Sequence, residues 1–467
     1  MRTEQEIERL EAENAELRRL LATSQEQLTA ALARIVELEG ELKRRTDLPK
    51  FVKRSRPKRE GPRPERKKRS AEHNTSRKRE EPTRIERHAL DECPECGYGL
   101  SGESVGYRRQ VIELPAPQPV EVIEHQVIKR WCPHCETWRS PQLDLSGEVF
   151  GQGRIGVRIA SLVVYMRTTL RLPVRQVQEY LATQHNLQLS VGEIVELTHA
   201  TRRQLQPQAD ELLEQIRSEP VAHMDETGWR EDGQNGYAWA VITDGADAVR
   251  YYEYNASRSH HVAQHLLGSR FRGVLVSDFY AAYNLIPGRH QRCWVHLLRD
   301  LHKLKEEHAE ATDVVEWATA VRQLYEEAQG WLRTHAPPTL EERSHKYASL
   351  LARVCELGQR YAFASGHPCR GLAKRLLRHQ EELFQFVLVP NLPADNNLAE
   401  RSIRPLVVIR KISGGSRSPE GTKTRLTLAG LCATWKARGL NALEQCLAAL
   451  QQVLTATQPA PTKTSLP

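Results

Sequence analysis

Residues 43–88 carry nineteen Lys/Arg against seven Asp/Glu, a local charge of +12. Pro49, Pro57, Pro62, Pro64 and Pro82 interrupt the stretch, and apolar residues are few. Such a segment buries too little surface to offset the entropy of ordering it. A chain containing it cannot fold as one body, so it is read in pieces on either side of a basic tether over 46–88. Residues 1–42 carry −5, and the whole chain of 467 residues carries +8, which leaves about +1 for the rest. The positive charge is therefore local, suited to a polyanion such as nucleic acid or an anionic membrane surface. A merely solvated linker fits it equally well. No run approaches the length of apolar residues that spans a bilayer. The N-terminal Met-Arg-Thr-Glu-Gln-Glu-Ile-Glu lacks the apolar centre of a signal peptide, and the expectation is a cytoplasmic, nucleoid-associated protein with no membrane partner.

Before the tether, Ile7, Asn14, Leu21, Leu28, Ile35 and Leu42 fall seven apart, interleaved by Leu10, Leu17, Ser24, Ala31 and Leu38. This is the seam of a coiled coil over 1–45, and Asn14 at a core position favours a parallel homodimer, with higher oligomers open. After the tether, Cys93-Pro94-Glu95-Cys96 and Cys132-Pro133-His134-Cys135 each aim two thiolates at one point. Two such knuckles complete a tetrahedral, closed, structural Zn²⁺ site, and the domain is set at 89–141. Val105 to Val111 and Val120 to Trp131 alternate like the strands of a zinc ribbon, and His125 and His134 stand near enough to replace a cysteine ligand.

Residues 142–219 read as helices, with two short ones around the loop from His185 to Ser190 resembling a helix-turn-helix. Thr198, His199, Thr201, Arg202 and Arg203 would then meet phosphate or base edges, although helical hairpins without DNA are as common. From 220 the pattern changes to strands. Val221–Asp225, Tyr237–Thr243 and Val249–Tyr254 form a meander, followed by a helix over Ser259–Leu267 and an apolar strand, Val274-Leu275-Val276-Ser277-Asp278. Arg289–Cys293 reads as one more strand before a helix from Val295 to Leu301. This β-β-β-α-β order, with acids on the first and fourth strands, is that of a ribonuclease-H-like fold, in which Asp225 and Asp278 become neighbours. A helix starting after Pro393 and ending at Pro405 carries Glu400 about one turn in.

Three carboxylates suit two Mg²⁺ (or Mn²⁺) ions acting on a phosphodiester, one activating the nucleophile and one stabilising the leaving oxygen. Each acid also has a plain structural use. Asp225 and Asp278 can cap turns, and Glu400 can pair with Arg404. Neither a phosphate-binding G-x-x-x-x-G-K-[ST] loop nor a G-x-S-x-G elbow competes.

The strings H-M-D-E-T-G-W, S-D-F-Y-A-A-Y, C-W-V-H-L-L-R-D and P-A-D-N-N-L-A-E-R-S-I-R-P together closely resemble the transposases of the insertion sequence 66 family, over nearly the whole chain. The resemblance implies a leucine-zipper segment, a zinc finger, a catalytic domain with three essential acids, and a C-terminal helical module. Carried over, the acids are Asp225, Asp278 and Glu400. The catalytic core is expected at 220–296 and 391–420, a helical insertion at 297–390, and the C-terminal module and tail at 421–467. The 121 residues between Asp278 and Glu400 are too many for a simple connection, which calls for an inserted domain on length alone. Cys293 and His296 form the C-x-x-H that the family also has, and a supporting place near DNA or the scissile phosphate is expected. Arg401 and Arg404 would hold phosphate, and Trp229 and Tyr280 would stack on a flipped or frayed base. The expected function is a DNA transposase that cleaves element ends and joins 3′-hydroxyls to target DNA, helped by accessory proteins. The rivals are a non-catalytic DNA-binding regulator and a nuclease without strand transfer.

Overall fold

The computed structural model describes Arg9 and residues 15–17, 19–35, 79–151, 153–334 and 337–456, in two compact units, 1–114 and 115–467. In the first unit, residues 19–35 are helical, and Leu17, Leu21, Leu28 and Ile35 of the heptad seam stand at least half exposed. Ile7, Leu10, Asn14, Leu38 and Leu42, and the tether from 46 to 78, lie outside the described residues. No strand forms over Val105–Val111, contrary to the ribbon expectation.

The second unit begins with a small hairpin, β1 (Arg130–Cys132) with β2 (Thr137–Arg139), in which Trp131 faces Trp138. Here too the expectation is corrected. Residues 120–129 have no strand structure, and the pairing wraps around the second cysteine knuckle. Trp131 and Trp138 meet edge to face at 5.9 Å, the kind of cross-strand aromatic pair that holds a short ladder together.

Three helices follow: α1 (Val157–Thr168), α2 (Val174–His185) and α3 (Val191–Ser218). Ser190 starts α3 with a capping box. Its hydroxyl accepts from the Glu193 amide at 3.1 Å, and its own amide donates to the Glu193 carboxylate at 2.7 Å. The expected short helix is instead 28 residues long. Ile194 and Leu197 pack it on α1 and α2, Leu205 and Ala209 on the last two helices of the chain, and Ile216 on the sheet. With apolar anchors along its whole length, nothing ends it before Ser218, not even Pro207.

The sheet has the order β5-β4-β3-β6-β7, made of β3 (Val221–Glu231), β4 (Gln234–Ile242), β5 (Arg250–Asn255), β6 (Val274–Ser277) and β7 (Arg289–Arg292). The β3–β4 and β4–β5 pairs are antiparallel, whereas β3–β6 and β6–β7 are parallel. α4 (His260–Leu267) connects the two halves. Alternation along the strands divides the faces. Ala222, Met224, Trp239, Val241 and Leu275 pack with α4 and the end of α3. Trp229, Ala238, Ala240 and Ile242 face the other way, against α10 (Asn397–Ser413) and Leu426 of α11 (Pro419–Ala437).

Between β7 and α10 lie α5 (Trp294–Glu307), α6 (Thr312–Thr334), α7 (Leu340–Ala362), α8 (Arg370–His379) and the short α9 (Gln385–Leu388). The stretch from Trp294 to Leu388 is thus mainly helical. These helices share one core with Val274 and Val276 of β6, through Trp294, Trp317, Phe384 and Phe386. A final helix, α12 (Ala442–Ala456), packs on α1 and α3. The architecture is a mixed sheet among many helices, and among the described residues no helix is long and apolar enough to cross a membrane.

Candidate active site

Register and side-chain alternation together bring two of the predicted acids to one place. β3 and β6 pair in parallel from Val221↔Val274 to His223↔Val276 and no further. Asp225 and Asp278 each lie two residues beyond the last pair, so they continue the same row on the same face. That face is the one α10 covers. Asp225 is not the last residue of a short strand, as its sequence suggested. It sits in the middle of an 11-residue strand that runs on beyond β6 beside β4, where Asp225 faces Ala240.

Glu400 reaches this row from the first turn of α10. The turn ahead of it is fastened to the sheet by Asn396, which is 1% exposed. The Asn396 side-chain amide donates to the Met224 carbonyl at 2.8 Å, and its oxygen accepts from His223 Nδ1 at 3.1 Å. Its backbone amide donates to the Cys293 sulfur at 3.2 Å, and the Trp294 amide donates to the Ala394 carbonyl at 3.0 Å. Burial lowers His223 to about 4, so it is neutral near pH 7 and its Nδ1 proton is available for that bond. The strand bearing Asp225, the start of α5 and the helix bearing Glu400 thus share one hub. Pro405 does not end α10, contrary to expectation. The helix runs on to Ser413 and is closed by Gly414 at φ 74°, because Leu406 and Ile409 continue its buried face beyond the proline.

Asp225, Asp278 and Glu400 line one pocket of about 290 Å³ together with His296, Arg299, Asn396 and Ile403. Burial first, then the neighbouring Glu226, with lesser pushes from Asp278 and Glu400, drive the Asp225 carboxyl up to about 7, partly offset by the Glu226 amide that donates to it at 2.9 Å. Like charges gathered out of water raise a carboxyl in this way, and a bound cation removes the penalty. Oxygen donors are the ligands hard divalent ions take, and Glu400 Oε1 is shut off from solvent with no hydrogen-bond partner. The residues therefore fit Mg²⁺ or Mn²⁺. The carboxylates are not drawn to a point, however. Among the described residues, the single group of three potential ligand atoms within 4.8 Å of one another is Cys293, His296 and Glu400.

The remaining predicted residues separate by exposure. Arg401 and Arg404 are exposed on α10. Tyr280 carries the Arg258 guanidinium over its ring at 3.8 Å and donates its hydroxyl to the Arg258 carbonyl at 2.8 Å, so one ring face is already taken. Trp229 is corrected outright. It is 1% exposed in the core under α10 and donates its indole N–H to Ser416, which leaves no ring face for a base. Arg202 is also corrected as a free DNA contact, while Arg203, 47% exposed, shares its partner. They lie mid-helix on α3, where both pair with Glu420 of α11, at 3.1 and 3.2 Å, and Arg202 is 12% exposed. Beside them, His199 bonds Thr424 at 2.7 Å, and Thr198 and Thr201 are buried.

Sequence reasoning passed over Glu226, Asn396 and Arg299. Glu226, next to Asp225, has its side chain buried and held by Arg258 and the Tyr283 hydroxyl. Arg299 stands one turn after His296 in the quoted C-W-V-H-L-L-R-D, a spacing that put it on the same helix face.

Each zinc knuckle is a tight turn. In the first, the Gly97 amide donates to the Cys93 carbonyl at 2.8 Å, and backbone N–H groups of Glu95 and Cys96 lower the Cys93 thiol. In the second, the Cys135 amide points at the Cys132 sulfur at 3.5 Å, and with that of His134 it lowers the Cys132 thiol. Amides aimed at sulfur stabilise thiolate, the form zinc takes, so the donor sets fit the metal.

The model of the Transposase IS66 family matches residues 152–424, and the model of the zinc-finger binding domain of transposase IS66 matches residues 91–136. The chain is also similar to three uncharacterized proteins of Sinorhizobium fredii. It is 30% identical to y4qI over 281 residues, covering 54% of this chain and 50% of that protein. It is 33% identical to y4jO over 171 residues, covering 36% and 49%, and 29% identical to y4jD over 266 residues, covering 51% of each. The chain spans about half the length of the curated relatives it matches.

Proposed function

The chain belongs to the Transposase IS66 family, and on that premise we propose that it cleaves DNA at element ends and joins the freed 3′-hydroxyl to target DNA, using Asp225, Asp278 and Glu400. The observation that carries this reading is the convergence of the three acids, far apart in sequence, on one pocket. On this reading the sheet and its crossing helix are the ribonuclease-H-like core, interrupted by the helical insertion. Bound Mg²⁺ or Mn²⁺ would supply activation of the attacking oxygen and neutralisation of the leaving one. Asp225, Asp278 and Glu400 are the residues that would hold these ions, a bridging Asp with one further acid for each metal. Asn396 keeps the start of that helix against β3. Arg299, exposed at the pocket, and Arg401 and Arg404 steer and hold phosphates, with His296 beside the scissile group and Tyr280 near a frayed base.

The other segments take their roles from charge and spacing. The exposed leucine seam pairs two chains, which brings two element ends together. The basic tether adds sequence-independent affinity that falls steeply with salt. Cys93, Cys96, Cys132 and Cys135 hold the structural zinc of the zinc-finger domain, and accessory proteins join the assembly. The test is incubation of the full chain with Mg²⁺ and duplexes ending in the terminal inverted repeats that flank its coding sequence. Nicked ends and branched joint products are expected, and both vanish in Asp225→Asn, Asp278→Asn and Glu400→Gln. Nicks without joint products would make the protein a nuclease. Binding without nicks would make it a regulator.

A further inference from the structure

Cys293 and His296 open α5 as its N-cap residue and third helical residue, so one turn presents both side chains to the first turn of α10. Their ligand atoms and a Glu400 carboxylate oxygen all lie within 4.8 Å of one another. The geometry points to a second cation site, formed by Cys293, His296 and Glu400, that takes a zinc-class ion and shares Glu400 with the magnesium-binding acids.

Three observations converge on it. First, His296 Nδ1 and Glu400 Oε1 are both shut off from solvent with no hydrogen-bond partner. Buried polar atoms left that way are costly, and Glu400 Oε1 faces His296 Nε2 at 3.6 Å, a separation that a shared cation fits. Second, the donors are one sulfur, one imidazole and one carboxylate. That set suits zinc, whereas magnesium, which takes oxygen ligands, has little use for the sulfur. A thiolate and a carboxylate also neutralise a divalent ion. Third, the framework is already built. Cys293 is fully buried, with its sulfur accepting from the Asn396 amide at 3.2 Å, as a fixed metal ligand is held by its surroundings. Tetrahedral zinc with bonds of about 2.0–2.3 Å sets its ligand atoms roughly 3.6 Å apart. The remaining contraction falls to His296 and Glu400, whose side chains are 28% and 36% exposed and have room to turn. Three protein ligands leave a fourth position open at the pocket.

The consequence rests on the assignment of Glu400 to catalysis made above. A zinc ion here engages the carboxylate that the two aspartates need, so zinc opposes magnesium-supported cleavage. The existence of the site does not rest on that assignment, and the test separates them. The full chain with Cys93, Cys96, Cys132 and Cys135 all changed to serine is titrated with Co²⁺ as the probe. A thiolate-to-cobalt charge-transfer band is expected to remain, to vanish on adding Cys293→Ser, and to weaken on adding His296→Ala. Should the serine variant fold poorly, zinc is counted in the dialysed wild-type chain. Wild type is expected to retain one zinc ion more per chain than Cys293→Ser or His296→Ala. A cobalt band that is absent, or indifferent to Cys293 and His296, overturns the site. So does a zinc count that neither substitution changes. If cleavage proves independent of Glu400 while the band behaves as expected, the site stands and only the competition fails.

Discussion

Replacing Asp225 by Asn should stabilise the metal-free protein, an unusual outcome for a change at a buried polar position. The Asp225 carboxyl is raised from an ordinary 3.8 to about 7 by burial and by Glu226, Asp278 and Glu400. A carboxyl whose folded value exceeds its unfolded one penalises folding once it ionises. The penalty is near zero below about pH 4, grows as pH rises between the two values, and is complete above 7. At about 1.36 kcal/mol per unit, the whole shift corresponds to roughly 4 kcal/mol at pH 8. The side chain keeps some access to the pocket, and relaxation trims this to about 2–4 kcal/mol. Asn has the same shape and can still accept from the Glu226 amide, so little packing is lost. The assay is thermal unfolding in a chelator at pH 8 and at pH 4, wild type against variant. A gain of several degrees at pH 8 is expected, at about 2–4 °C per kcal/mol, falling to a degree or two at pH 4. Added Mg²⁺ should raise the wild type and leave the variant nearly unchanged. A variant less stable than wild type at pH 8, or equally shifted at both pH values, would refute the reasoning.

Other outcomes follow from the same geometry. Asn396→Ala leaves the Met224 carbonyl and His223 Nδ1 unpaired in the interior, and should cost about 1–3 kcal/mol for each in urea unfolding; end cleavage should fall further than DNA binding, because the Glu400 helix loses its anchor. Trp229→Ala empties part of the core under α10 and should cost about 3–5 kcal/mol in unfolding, with no loss of DNA affinity per folded molecule. Arg401→Ala and Arg404→Ala should each weaken binding to all sequences alike, and each should reduce the slope of log affinity against log salt by about 1, as read from fluorescence anisotropy.

How much was legible depended on whether a feature is local or a matter of tertiary choice. The sheet was legible because alternation and turns are local, and the pairing of β3 with β6 followed from strand order, which placed Asp225 beside Asp278. Glu400 was legible from its motif, yet its support was not. Asn396 looked like a helix-starting residue, and only the folded chain lays its side chain between His223 and Met224. The misreadings have one cause. Pro405 and the length of α3 were judged from propensity, and buried rows such as Leu406 with Ile409 outweigh it. Trp229 was expected to stack on a base, but its strand runs on past Asp225 and turns that position into the core. For Arg202 and Arg203, the partner Glu420 lies more than 200 residues away, beyond the reach of any spacing argument.

The central claim is that Asp225, Asp278 and Glu400 act together on divalent ions, and manganese binding tests it most directly. Electron paramagnetic resonance of free Mn²⁺, titrated with the full chain, gives the affinity without requiring a known DNA end. The account predicts tight binding by wild type and a marked loss in each of Asp225→Asn, Asp278→Asn and Glu400→Gln. Equal manganese binding by all four proteins would contradict it.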